Sequence, residues 1–186
     1  VTGFLDLEEL SGLTNLREIQ FSGSSDQLIV RRLTGLRNLT NLQTISLMIY
    51  GLESLEGLEN LTGLKELRIS GGDATYTTLA PLENLTNLQT LRLPSTDYDQ
   101  DITVTISALA NLTNLQELYL YGKVTTLAPL SGLTNLKSLE YDGNFDYDEA
   151  GISLAPLSSL TGLTELYINC NVPNNDITPL SSLTQL

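Results

Sequence analysis

The side chains best equipped for chemistry in this 186-residue chain are carboxylates, tyrosines and a few arginines; histidine is absent altogether. Losing imidazole removes the commonest general base and the commonest metal ligand together. No Cys–His or Ser–His pair can therefore activate a nucleophile. The single cysteine, Cys170, has no internal disulfide partner. It follows the alternating apolar pair Leu166 and Ile168, the setting of a small, partly buried thiol. Hydrolysis by two carboxylates needs a sequestered acidic pair, and no such pair interrupts the repeat pattern described below. The chain reads as non-catalytic.

Two acidic inserts concentrate the carboxylates. One carries Asp97, Asp99 and Asp101; the other carries Asp142, Asn144, Asp146 and Asp148, closed by Glu149. Alternating oxygen ligands suit a hard cation such as Ca²⁺, which takes six to eight of them. Ile102 and Tyr147 stand where the EF-hand loop requires glycine at its sixth position, and neither insert has the loop's glutamate at position twelve. Neither is an EF-hand. Solvated loops that touch a partner are the favoured expectation, and a calcium ion shared between the two inserts is the alternative.

What positions these residues is an internal repeat. The core Leu-Thr-Asn/Gly-Leu begins at Leu13, Leu39, Leu61, Leu85, Leu112, Leu133 and Leu160, with a last copy, Leu-Thr-Gln-Leu, at Leu183. Successive spacings run from 21 to 27 residues, the range of leucine-rich repeats. Within each unit the apolar period is first three, as in Leu127, Leu130, Leu133 and Leu136. That matches the 3.0 residues per turn of a 3₁₀ helix better than the 3.6 of an α-helix. It then shortens to two, as in Leu118 and Leu120, the mark of a strand with one buried face. Neither piece can bury its apolar side alone, so the units must stack into a continuous core. The expected fold is an α/β leucine-rich-repeat solenoid. It is a curved horseshoe with a parallel β-sheet on its concave face and short 3₁₀ or helical segments on its convex face. Residues 1–186 form one domain of about seven full repeats and a partial one, without a recognisable cap at either end. The chain reads as part of a longer protein or of an assembly.

The segments Leu79-Ala80-Pro81-Leu82, Leu127-Ala128-Pro129-Leu130, Leu154-Ala155-Pro156-Leu157 and Ile177-Thr178-Pro179-Leu180 each lead into a copy of that core. In this the chain resembles the internalin-like leucine-rich repeats of bacterial surface proteins, the resemblance covering nearly the whole sequence. It implies an extracellular or bacterial cell-surface location and a role in cell adhesion or host interaction. One departure is clear. The family pattern sets an asparagine three residues beyond the strand's last apolar position, where its amide satisfies backbone groups. Asn144 and Asn171 fit, but Ser24, Tyr50, Gly72, Thr96 and Lys123 occupy the other copies.

Residues flanking the buried strand positions should line the concave face. The central column reads Gln20, Ser46, Arg68, Arg92, Tyr119, Glu140, Tyr167; the column before it reads Glu18, Thr44, Glu66, Thr90, Glu117, Ser138, Glu165; the column after it reads Ser22, Met48, Ser70, Pro94, Tyr121, Asp142, Asn169. Tyr119, Tyr121 and Tyr167 fall within three successive turns, about 10 Å end to end at strand spacing. Exposed aromatics are enriched where proteins bind proteins, and they also stack on sugars. Arg68 and Arg92 should be neighbours, a positive spot able to hold a carboxylate; pairing with Glu66 and Glu117 is the favoured alternative. The candidate contact residues are Arg68, Arg92, Glu117, Tyr119, Tyr121, Glu140, Asp142, Glu165, Tyr167 and Asn169.

Composition narrows the partner. The net charge is −13, and residues 93–186 hold two basic side chains against eleven acids. Phosphate neutralisation needs clustered Lys and Arg, so nucleic acid is excluded. No run of 18 apolar residues exists to span a membrane, and the first residues show no signal peptide. The acceptor motifs at Asn38, Asn60, Asn84 and Asn111 are by-products of the repeated core and locate nothing. The expected function is a protein-binding module without a cofactor. The alternatives are a structural stalk, spacer or polymer subunit, and a glycan binder using the tyrosines.

Overall fold

A computed structural model describes residues 3–4, 6–22, 28–96, 102–143 and 151–186. Leucine at every third position builds its own backbone ladder. In a 3₁₀ turn each amide donates to the carbonyl three residues back, so each leucine N–H meets the preceding leucine. The amides of Leu82, Leu85 and Leu88 donate to the carbonyls of Leu79, Leu82 and Leu85 at 2.9 Å. Leu130, Leu133 and Leu136 repeat the pattern on Leu127, Leu130 and Leu133 at the same distance. Every helical segment among the described residues is 3₁₀, so the period read from the sequence is the hydrogen-bond period itself.

The residue two before the first helical N–H caps it. Thr78, Thr126, Ser153 and Asp176 accept from the amides of Ala80, Ala128, Ala155 and Thr178 at 3.0–3.3 Å. Proline follows in each segment, where a free N–H would have no partner and the fixed φ suits the turn.

Strands β1 (Gly3–Phe4) and β3 (Leu28–Ile29) form a small parallel pair to one side. The main sheet has seven parallel strands in the order β2 (Glu18–Phe21), β4 (Thr44–Met48), β5 (Glu66–Ser70), β6 (Thr90–Arg92), β7 (Glu117–Tyr121), β8 (Ser138–Asp142) and β9 (Glu165–Asn169). It forms the concave face of the solenoid, and the 3₁₀ segments form the convex face. Leu67, Leu91, Leu118 and Leu139 pair across β5 to β8 in a single inward column. Together with Leu79, Leu82, Leu85 and Leu88 and their counterparts they fill an interior closed to water. At about 25 cal/mol per Å² of apolar surface, this column is the dominant source of stability. End coils have a neighbour on one side only, and there the period-three residues Leu13, Ile177 and Leu186 are 50%, 64% and 54% exposed.

The missing post-strand asparagines have a structural answer. Tyr50, Thr96 and Lys123 sit in isolated parallel bridges to Ile29, Ala74 and Thr103, so backbone satisfies the turn where a side-chain amide would have done so. Asparagine instead acts one turn later, inside the repeated core. Asn41, Asn87, Asn114 and Asn135 each donate from Nδ2 to the threonine carbonyl of the preceding coil, at 2.8–2.9 Å.

Candidate functional site

The concave face is built by strand residues whose side chains alternate away from the leucine column. Register sets Gln20, Ser46, Arg68, Arg92, Tyr119, Glu140 and Tyr167 opposite one another on successive strands. Glu18, Thr44, Glu66, Thr90, Glu117, Ser138 and Glu165 form the adjoining column by the same pairing. On the other side Met48 pairs with Ser70, Tyr121 with Asp142, and Asp142 in turn with Asn169. Pro94 does not join that third column as the alternation predicted. Strand β6 ends at Arg92, Pro94 is buried, and its carbonyl accepts from the Tyr76 hydroxyl at 2.9 Å.

The two arginines differ in environment. Arg68 is neutralised: it pairs with Glu66 on its own strand and lies 3.6 Å from Glu117 Oε2. Its Nη2 also donates to Thr90 Oγ1 at 3.4 Å. Arg92 has no carboxylate partner among the described residues. Its guanidinium lies over two rings, 5.0 Å from the Tyr119 centroid and 5.6 Å from that of Tyr121, a cation held by ring quadrupoles.

Tyr121 is fixed at its far end as well, its hydroxyl donating to Glu140 Oε1 at 2.6 Å. Burial, reinforced by that hydrogen bond to a carboxylate, pushes its phenol well above the ordinary value. Tyr167 stands clear, 53% exposed, one strand beyond Glu140. Beside these residues, at the C-terminal ends of β5 to β7, lies a groove of about 210 Å³ walled by Ser70, Arg92, Ser95 and Tyr121. Gly71 has φ +123°, and a Cβ there would come 1.8 Å from the Ile49 carbonyl oxygen. Only glycine lets the two coils approach this closely behind the groove.

No protein-family model matches the chain, and no curated protein matches it by sequence. Solved structures do. An internalin (InlF) from Listeria monocytogenes str. 4b F2365 superposes with a TM-score of 0.58 at 26% identity, over 97% of this chain and 55% of that one. Internalin C2 (InlC2) from the same organism gives 0.59 at 28% identity, over 98% of this chain and 82% of that one. The chain folds as an internalin-like leucine-rich-repeat solenoid. It spans little more than half the length of the first of these structures and most of the second.

In this internalin-like solenoid the candidate contact residues Arg68, Arg92, Glu117, Tyr119, Tyr121, Glu140, Asp142, Glu165, Tyr167 and Asn169 share one face across β5 to β9. Of the calcium candidates only Asp142 lies within the described residues, at the end of β8. Asp97, Asp99, Asp101, Asn144, Asp146 and Asp148 lie outside them. Among the described residues no three metal-ligating side chains converge, and no helix is long and apolar enough to cross a membrane.

Cys170 is half-buried, and burial first, then the nearby Asp142 charge, pushes its thiol up, away from the reactive thiolate. Two tyrosines the patterning did not single out serve the interior. Tyr76 is sealed inside, and Tyr141 takes the buried strand position that Leu120 and Ile168 hold in neighbouring coils. Burial raises the Tyr141 phenol to about 12, with the Cys170 thiol adding to the effect.

Proposed function

We propose that residues 1–186 act as one non-catalytic protein-recognition module, docking a partner on the concave sheet face. The observation that carries this reading is the juxtaposition of Arg92, Tyr119, Tyr121, Glu140 and Tyr167 on adjacent rungs. Tyrosines held beside an arginine are what hot spots of protein interfaces are rich in. The likeness to internalins supports a protein-interaction repeat module. Adhesion or host interaction at a bacterial surface is the setting we infer from the same likeness. Glycan stacking is the weaker reading, because the Tyr119 and Tyr121 rings already carry Arg92, leaving Tyr167 as the open platform.

The test compares immobilised wild type with the double variant Tyr119→Ala, Tyr167→Ala on solubilised animal-cell surface proteins and on a glycan array. A protein held by wild type and released by the double variant, with the urea midpoint unchanged and the array blank, is the expected result. Equal retention by both forms, or an array signal without protein capture, overturns it.

A further inference from the structure

We infer that Arg92 is the seat for a single carboxylate, an aspartate or glutamate side chain presented by the protein partner and received in the groove at the C-terminal ends of β5 to β7. This deepens the reading above and rests on it for the nature of the partner.

Three observations converge. The chain carries 22 acids against nine basic side chains, yet Arg92 forms no ion pair among the described residues, whereas its column neighbour Arg68 has two. A guanidinium with no ion-pair partner among the described residues keeps its donors for an incoming carboxylate.

Second, the guanidinium is preorganised. Stacking on Tyr119 and Tyr121 at 5.0 and 5.6 Å uses its flat face. Its in-plane N–H donors remain for a planar acceptor, and the fork of Arg matches a carboxylate in two parallel hydrogen bonds. Tyr121 cannot compete for the anion, since its proton is committed to Glu140. Its ring is left to act as a wall.

Third, there is room. The groove of about 210 Å³ opens directly on Arg92, with Ser70 and Ser95 on its other sides, and the Ser95 hydroxyl can donate to an anion.

The surroundings select the kind of carboxylate. Glu66, Glu117, Glu140 and Asp142 ring the site on neighbouring rungs. A polyanion, such as a chain of acidic sugars, would set its further charges against these acids, and like charges across an interface are costly. One carboxylate among neutral or basic neighbours fits, with the partner's lysines or arginines facing the surrounding acids.

Nuclear magnetic resonance on the intact chain tests this through the Nε–H resonances of Arg92 and Arg68. The probes are the capped peptide Lys-Gly-Asp-Gly-Lys, its asparagine counterpart, and N-acetylneuraminic acid as a sugar carboxylate. The aspartate peptide is expected to shift Arg92 saturably and leave Arg68 in place. The asparagine peptide should bind about tenfold more weakly, the cost of losing a charge-assisted hydrogen bond. Arg92→Gln should abolish the response, and Arg92→Lys should weaken it while the backbone spectrum holds.

Equal shifts from both peptides, a response centred on Arg68, no saturable shift, or tighter binding of the sugar acid overturns the assignment. Capture by the Tyr119 and Tyr167 face is read separately. Absence of the peptide response, with capture by wild type and release by the double variant as expected, removes this inference and leaves the module standing; equal retention by wild type and the double variant removes both.

Discussion

Replacing Leu118 with alanine should cost the solenoid far more than the same change at Leu13, although both are leucines of the repeat. Leu118 is fully buried and paired between Leu91 and Leu139 in the inward column. The change removes three carbons, about 2.4 kcal/mol at ~0.8 kcal/mol per buried methylene. Coils fixed on both sides cannot close the gap, and the cavity raises the total to about 3.5 kcal/mol. Leu13 is 50% exposed, so about half the transfer term and little cavity term apply there, a cost of about 1 kcal/mol. Urea unfolding followed by circular dichroism reads the difference. With a slope of about 2.5 kcal/mol per molar, Leu118→Ala should lower the midpoint by about 1.4 M and Leu13→Ala by about 0.4 M. Equal shifts in the two variants would refute the assignment of the alternating leucines to one dry column.

Gly71→Ala should destabilise by several kcal/mol, because its Cβ would meet the Ile49 carbonyl at 1.8 Å and its φ is +123°. Gly132→Ala, where a Cβ meets nothing within 4 Å, is the control, and a midpoint no lower for Gly71→Ala contradicts the close approach of the coils. Alkaline titration checks the buried phenols. Tyr76, Tyr121 and Tyr141 hold their protons above the ordinary value near 10, while the unfolded chain releases them there. The stability they confer is thus complete below pH ~10 and declines as pH rises towards the folded values. Phenolate absorbance of the folded protein should show these three titrating last; all eight tyrosines titrating together near the ordinary value contradicts their placement.

The architecture was legible because two spacings carry it. A leucine every third residue is at once the burial period and the hydrogen-bond period of the 3₁₀ segments, so no tertiary context was needed to read it. Alternation around Leu118 and Leu139 likewise specified the strand register, since a one-residue slip would turn the columns inside out. The different environments of Arg68 and Arg92 were not legible. Both stand two residues after an acid or threonine in equivalent rungs, and which one finds Glu117 depends on rotamers and on neighbouring coils. The role of Asn41, Asn87, Asn114 and Asn135 was written in the sequence as a recurring core asparagine. Its partner lies a whole coil away, beyond what local spacing displays. Alternation continued past Arg92 puts Pro94 on the concave face, but the strand ends at Arg92.

Recognition on the concave face is tested most directly by hydroxyl-radical footprinting with a captured partner protein. Tyr119, Tyr121 and Tyr167 should lose reactivity in the complex, while the exposed end residues Leu13 and Ile177 keep theirs. Unchanged labelling of the three tyrosines, with protection of Leu13 or Ile177 instead, would show that the partner engages another surface.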